Sequence, residues 1–226
     1  MRIFILLLVA TIAAACSGGA AAATAPSQIA AIARPLRIVA LGDSLTSGHG
    51  LSKEEAYPAV LERTLQSAGL PFTVVNHGVS GDTTTEGLRR LGAALDEQPS
   101  ILIVALGAND GLKGIPVSEA RANLEKIIET AQSRGVEVLL CAMETVPLQG
   151  LQYFLEFHQL FPQLAAKYNL PLVPFILSGV LGDRRLMLPD GVHPNAAGAT
   201  QMARTIWPYL QPLAIRASAT QRSVRL

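Results

Sequence analysis

Two segments of this chain carry side chains suited to nucleophilic acyl transfer. Ser44 closes the run Ile38-Val39-Ala40-Leu41-Gly42-Asp43-Ser44, an apolar stretch that ends in a glycine, an acid and a hydroxyl. Far downstream, Asp190 and His193 stand three residues apart in Asp190-Gly191-Val192-His193-Pro194, where Gly191 and Pro194 shape a turn. That spacing lets the Asp190 carboxylate reach Nδ1 of His193, which fixes the tautomer and stabilises the imidazolium. The imidazole can then take the proton of Ser44 as the hydroxyl attacks a carbonyl carbon. Alone, Ser44 would read as an ordinary helix cap. With the downstream pair, hydrolysis through an acylated serine is the leading expectation.

Two further segments offer donors for a developing oxyanion. Asn109, in Leu106-Gly107-Ala108-Asn109-Asp110-Gly111, has a side-chain amide, and Gly81, in Val79-Ser80-Gly81-Asp82-Thr83, can present a backbone N–H without a side chain in the way. The N–H of Ser44 itself is the third donor. Preorganised donors of this kind are often the largest contribution to acyl-transfer catalysis. Asp43 and Asp110 read as turn and cap carboxylates rather than catalytic acids. Asp43, His49 and Leu148 are the candidate substrate contacts. His77 and His158 are poorer candidates than His193 for the base. No two of the four histidines have metal-ligand spacing and no acidic cluster accompanies them, so neither a metal nor a cofactor is expected. Gly48-His49-Gly50 lacks the further glycine or the Gly-Lys-Ser/Thr of a nucleotide loop.

These groups need a scaffold, and the hydropathy pattern supplies one. Apolar runs at residues 36–41, 72–76, 101–106, 136–141 and 170–175 are rich in Val, Ile and Leu without strict alternation, as in strands covered on both faces. Helical patterns at 53–67, 84–97, 118–133, 151–168 and 195–210 separate or follow them. Thr83 and Ser118 offer helix-start side chains, and Gly69 and Gly135 stop signals. The alternation implies a parallel sheet with right-handed crossovers and helices on both faces. In such sheets the ligand crevice lies beyond the carboxyl ends of the strands. Ser44, Gly81, Asn109 and the Asp190/His193 turn all follow strands, so four distant segments converge there. Leu148, Leu151, Tyr153, Phe154 and Phe157 form either an apolar wall for an acyl or aryl group or the buried stripe of a helix.

Composition agrees with one such domain. The chain has 226 residues, 50% hydrophobic and 15% charged, with a formal net charge of +1. No basic stripe with interleaved aromatics occurs, so nucleic acid is not an expected partner. Residues 1–16 have the basic start and short apolar core of an export leader. Ala13-Ala14-Ala15-Cys16-Ser17 is similar to a bacterial lipobox, and lipidation at Cys16 competes with plain cleavage in the alanine-rich segment. An exported, periplasmic location follows, with a membrane tether if Cys16 is lipidated. Residues 17–34 read as a flexible linker, 35–212 as the folded domain, and 213–226 as a polar, disordered tail. Cys141 lies within a buried strand, and no intramolecular disulfide is expected. A monomer is expected.

On these motifs the chain is identified as a member of the GDSL, or SGNH, hydrolase family. Gly42-Asp43-Ser44-Leu45 resembles its first block, Ser80-Gly81-Asp82-Thr83 the second, Gly107-Ala108-Asn109-Asp110 the third, and Asp190-Gly191-Val192-His193-Pro194-Asn195 the last. The resemblance covers residues 36–210 in order, and it implies a three-layer α/β/α sandwich on a flavodoxin-like five-stranded parallel sheet. It implies Ser44, His193 and Asp190 as nucleophile, base and acid, with Ser44, Gly81 and Asn109 as oxyanion donors. Within the family the chain looks most like the bacterial periplasmic thioesterase I, lysophospholipase and arylesterase group, with small esters or thioesters as substrates. His49 stands where that group has a tyrosine. Two other classes stay open: an acyl or acetyl transferase acting on a glycan hydroxyl, and a non-catalytic lipid- or glycan-binding protein.

Overall fold

The computed structural model describes residues 36–223. The expected leader with Cys16, the linker at 17–34, residue 35 and residues 224–226 lie outside the described residues.

Five parallel strands form the sheet: β1 (Arg37–Gly42), β2 (Thr73–Gly78), β3 (Ile101–Ala105), β4 (Glu137–Cys141) and β5 (Leu172–Val173), in the order β2-β1-β3-β4-β5. Among the described residues seven α-helices accompany them: α1 (Ser44–Ser47), α2 (Tyr57–Ser67), α3 (Thr84–Asp96), α4 (Ala108–Lys113), α5 (Val117–Ser133), α6 (Leu151–Tyr168) and α7 (Ala196–Ser223). Helices α2 and α7 pack together, as do α3 with α5 and α5 with α6. This is the expected three-layer sandwich with helices on both sides of the sheet.

Local chemistry explains the element ends. The central strand β3 is fully buried, which its unbroken Ile-Leu-Ile-Val-Ala run anticipates. At the edge, β2 is half exposed and carries Thr73, Asn76 and His77 outward of the apolar pattern. β5 is only two residues long, because Pro171 and Pro174 flank it and neither has an N–H for the ladder. Helix α2 starts at Tyr57 rather than residue 53, with Pro58 in its first turn, where the missing donor costs nothing. Thr83 caps α3 in a reciprocal box with Glu86. Ser118 is not a cap: α5 begins one residue earlier, at Val117, after Pro116.

The C-terminal segment departs most from the sequence reading. Residues 213–223 are not a disordered tail but the end of α7. Ile206, Leu210, Leu213 and Ala214 are buried at helical spacing against the core, and Arg216 bonds Glu137 of β4 at 2.9 Å. Pro208 and Pro212 lie inside the helix, and the polar composition beyond them is what read as a tail. No helix among the described residues is long and apolar enough to cross a membrane.

Candidate active site

The carboxyl ends of β1 and β3 place the first two groups. Leaving β1 at Gly42, the chain turns directly into α1, and Ser44 is its first residue, so the Ser44 N–H has no helical partner. Asp43 caps this short helix by accepting from the Leu45 N–H at 3.0 Å. The α1 backbone is held to β2 by the Asn76 amide, which donates to the Thr46 carbonyl at 2.8 Å, and Thr46 shares a 3.0 Å hydrogen bond with the buried Tyr57 hydroxyl. Past β3, Asn109 lies in the first turn of α4.

Asp190 and His193 arrive on a loop pinned to the start of α7. Leu188 N–H donates to the His193 carbonyl at 2.7 Å, and Asn195 N–H to the Leu186 carbonyl at 2.9 Å. The Asn195 side chain then accepts from Gly198 N–H at 3.0 Å and donates to the Arg185 carbonyl at 2.9 Å. It caps the helix and closes the loop with one amide.

Together these elements join Ser44, His193 and Asp190. Nε2 of His193 lies 3.0 Å from Ser44 Oγ, and Nδ1 lies 2.7 Å from Asp190 Oδ2. The other Asp190 oxygen accepts the backbone N–H groups of Val192 and His193, each at 2.9 Å. Those backbone donors, with the imidazole, hold the Asp190 carboxyl well below the usual carboxylate range. An ionised carboxylate only accepts, so Nδ1 carries the hydrogen and Nε2 of the neutral ring is left to accept from Ser44.

Asn109 and Gly81 are tied into one unit. The Asn109 amide donates to the Asp82 carbonyl at 2.8 Å, which leaves its second N–H for a ligand. Lys113 donates to the Gly81 carbonyl at 3.0 Å. Arg90, unnoticed in the sequence, links this segment to the strands by donating to Asp82 (2.7 Å), to the His77 carbonyl (2.9 Å) and to the Gly42 carbonyl (3.1 Å). Asp110 is buried and accepts from the N–H and hydroxyl of Thr84 at 2.9 and 2.6 Å, fixing α4 against α3. Asp110 here and Asp43 at the start of α1 thus serve turn and cap contacts.

Ser44, Asn109 and His193 open onto a cavity of about 330 Å³ whose wall is mainly apolar, with Met143, Val146, Phe175 and Val192 among its residues. This wall differs from the one the sequence suggested. Leu148 and Leu151 are exposed and lie outside it, Phe157 is core, and Tyr153 donates to the Asp110 and Ile115 carbonyls. The helix-stripe reading therefore holds for Phe157, and Leu148 is not a cavity contact. Asp43 is also no substrate contact: it is wholly buried beneath the serine, and burial pushes its carboxyl up to about 7. His49 is exposed, with its ring centroid 4.4 Å from that of His193. Its nearness to Asp190 and His193 brings three ligand-type side chains within reach of one another, which sequence spacing did not reveal. Glu144 lines the cavity and bonds His158 Nδ1 at 3.0 Å, which accounts for that histidine.

Known proteins are similar to this chain in sequence and fold. The model of the GDSL-like Lipase/Acylhydrolase family matches residues 40–201. Esterase TesA of Pseudomonas aeruginosa is 36% identical over 177 residues, 78% of this chain and 88% of the relative. Thioesterase 1/protease 1/lysophospholipase L1 of Escherichia coli (strain K12) is 36% identical over 177 residues, 78% of this chain and 84% of the relative. A solved crystal structure of TesA superposes with a TM-score of 0.75 at 35% identity, covering 78% of this chain and 99% of that one.

Proposed function

Because this chain belongs to the GDSL-like lipase/acylhydrolase family and is an ester hydrolase, we propose that it cleaves carboxylic esters or thioesters through an acyl-enzyme on Ser44. The hydrogen-bonded chain from Ser44 through His193 to Asp190, opening onto an apolar cavity, carries this reading.

The steps follow from the atoms present. A substrate carbonyl sits over Ser44 with its oxygen toward the N–H groups of Ser44 and Gly81 and the free N–H of Asn109. As Oγ bonds to the carbonyl carbon, its proton passes to Nε2 of His193, and Asp190 stabilises the resulting imidazolium from the Nδ1 side. Collapse of the tetrahedral intermediate expels the alcohol or thiol, which takes the proton from Nε2. Water, deprotonated by the same nitrogen, then releases the acid and restores the serine.

The cavity volume lies at the small end of the range for small-molecule sites. Its apolar wall suits a short acyl or aryl group held whole, with longer chains running out through the mouth past the exposed Leu112 and Leu181. The basic start and apolar core of residues 1–16 support export to the bacterial envelope. Intact mass of the mature N-terminus tests this: retention of residues 1–16 overturns export, and an acylated Cys16 marks a tethered form.

The central test is Ser44→Ala. This variant should lose the acyl burst on an activated aryl ester and the mass increment from a serine-directed phosphonate. Wild-type turnover by Ser44→Ala would remove the mechanism.

A further inference from the structure

The geometry points to an inhibitory binding site for a transition-metal ion, Zn²⁺ foremost, formed by His49, His193 and Asp190 at the mouth of the catalytic cleft. One ligand atom from each of the three lies within 4.8 Å of the others, and they are the one such trio among the described residues. Two imidazoles and a carboxylate, with water in the fourth position, make a donor set that zinc takes. The same set favours zinc, copper, nickel and cobalt over magnesium or calcium, which prefer oxygen donors alone.

His49 is the residue that turns a catalytic pair into a metal trio. Its ring faces the His193 ring at 4.4 Å with a 37° tilt and makes no bond within the relay. It is exposed on the turn that follows α1, between Gly48 and Gly50, both with positive φ. Two ligands bound at about 2.1 Å around a tetrahedral ion stand roughly 3.4 Å apart. The 2.7 Å contact between Nδ1 of His193 and Asp190 therefore has to open by only roughly 0.7 Å to admit an ion bonded to both.

The consequence for catalysis follows from one proton. In the relay the neutral His193 ring carries its hydrogen on Nδ1 and accepts at Nε2. An ion on Nδ1 requires the lone pair there, so the single ring proton moves to Nε2, with no net proton gained or lost. Nε2–H can then donate to Ser44 but cannot take its proton. Asp190 is simultaneously drawn onto the metal. Binding thus switches off the base without touching the serine, and this consequence rests on the assignment of His193 proposed above.

The test uses tag-free protein, with Zn²⁺ followed by calorimetry and Co²⁺ by its visible absorption. Wild type and Ser44→Ala should each bind one ion, and His49→Phe should bind at least about tenfold more weakly, a typical loss for a damaged metal site. His49→Gln, which differs in bulk, should show the same loss, whereas His158→Gln should bind normally, since His158 belongs to the Glu144 pair. Saturating zinc should lower wild-type hydrolysis by about 10²–10⁴, the contribution of a positioned base, with recovery on adding a chelator. At a zinc concentration that half-inhibits wild type, each His49 variant should keep most of its zinc-free rate. No stoichiometric binding by wild type, or binding unchanged in both His49 variants, overturns the site. Binding that depends on His49 yet leaves hydrolysis untouched upholds the site and strikes instead at His193 as the base.

Discussion

At the residue scale, the reactive groups divide by burial. Asp190 is a surface carboxylate kept ionised by the donors around it, whereas Asp43, next to Ser44, is wholly buried and has an Oδ2 without a hydrogen-bond partner among the described residues. Burial lifts the folded-state value of Asp43 to about 7, above its ordinary 3.8, so the folded protein holds a proton that the unfolded chain has lost. The stability associated with that proton is fully present below about pH 4 and disappears as pH rises through about 7. Asp43→Asn keeps the capping oxygen and cannot ionise. Its melting temperature relative to wild type should therefore rise from pH 4.5 to pH 8, and parallel curves would contradict a raised Asp43. Asn109→Ala removes one oxyanion donor and should lower kcat by about 10²–10³. Circular dichroism should show the fold intact, and an unchanged kcat would exclude Asn109 from the oxyanion site.

At the element scale, the loop that carries Asp190 and His193 depends on how closely it lies on α7. A Cβ added at Gly198 would sit 2.1 Å from the Leu186 carbonyl oxygen and 2.9 Å from Pro194 Cβ. Backbone has to move in Gly198→Ala, and the loop that moves holds His193, the proposed base. A displacement of about 1 Å at a reacting group can cost about 10²-fold in rate. Gly198→Ala should thus lower kcat by about that factor with much smaller change in KM, and full activity would show that the loop tolerates the shift. The helix that anchors this loop was only partly legible from sequence. Residues 196–210 have a clear apolar stripe, but the polar composition beyond concealed its continuation to Ser223, which also runs past Pro208 and Pro212. Prolines break a helix through local sterics and a lost donor; here burial of Leu210, Leu213 and Ala214 outweighs them.

At the scale of the whole molecule, stability and chemistry separate. Leu213 is buried in the core although it lies beyond the segment matched to the family. Leu213→Ala should cost about 2–5 kcal/mol in urea unfolding while leaving kcat unchanged at temperatures where the variant stays folded; a loss under about 0.5 kcal/mol, the range of surface substitutions, would return the segment to a peripheral role. Much was determined by the sequence itself. The five apolar runs, the order of the motif blocks and the three-residue spacing of Asp190 and His193 were readable, because strand burial, turn chemistry and an i to i+3 contact are local properties. That a crevice forms beyond the strand ends was also readable, since parallel sheets place it there. The tertiary structure decided what depends on distant segments meeting. The cavity wall comes from Met143, Val146, Phe175 and Val192 rather than from Leu148, because which exposed leucine faces a crevice is set by packing and not by hydropathy. Likewise, His49 comes to rest against His193 across 144 positions of sequence, a proximity that no spacing rule encodes.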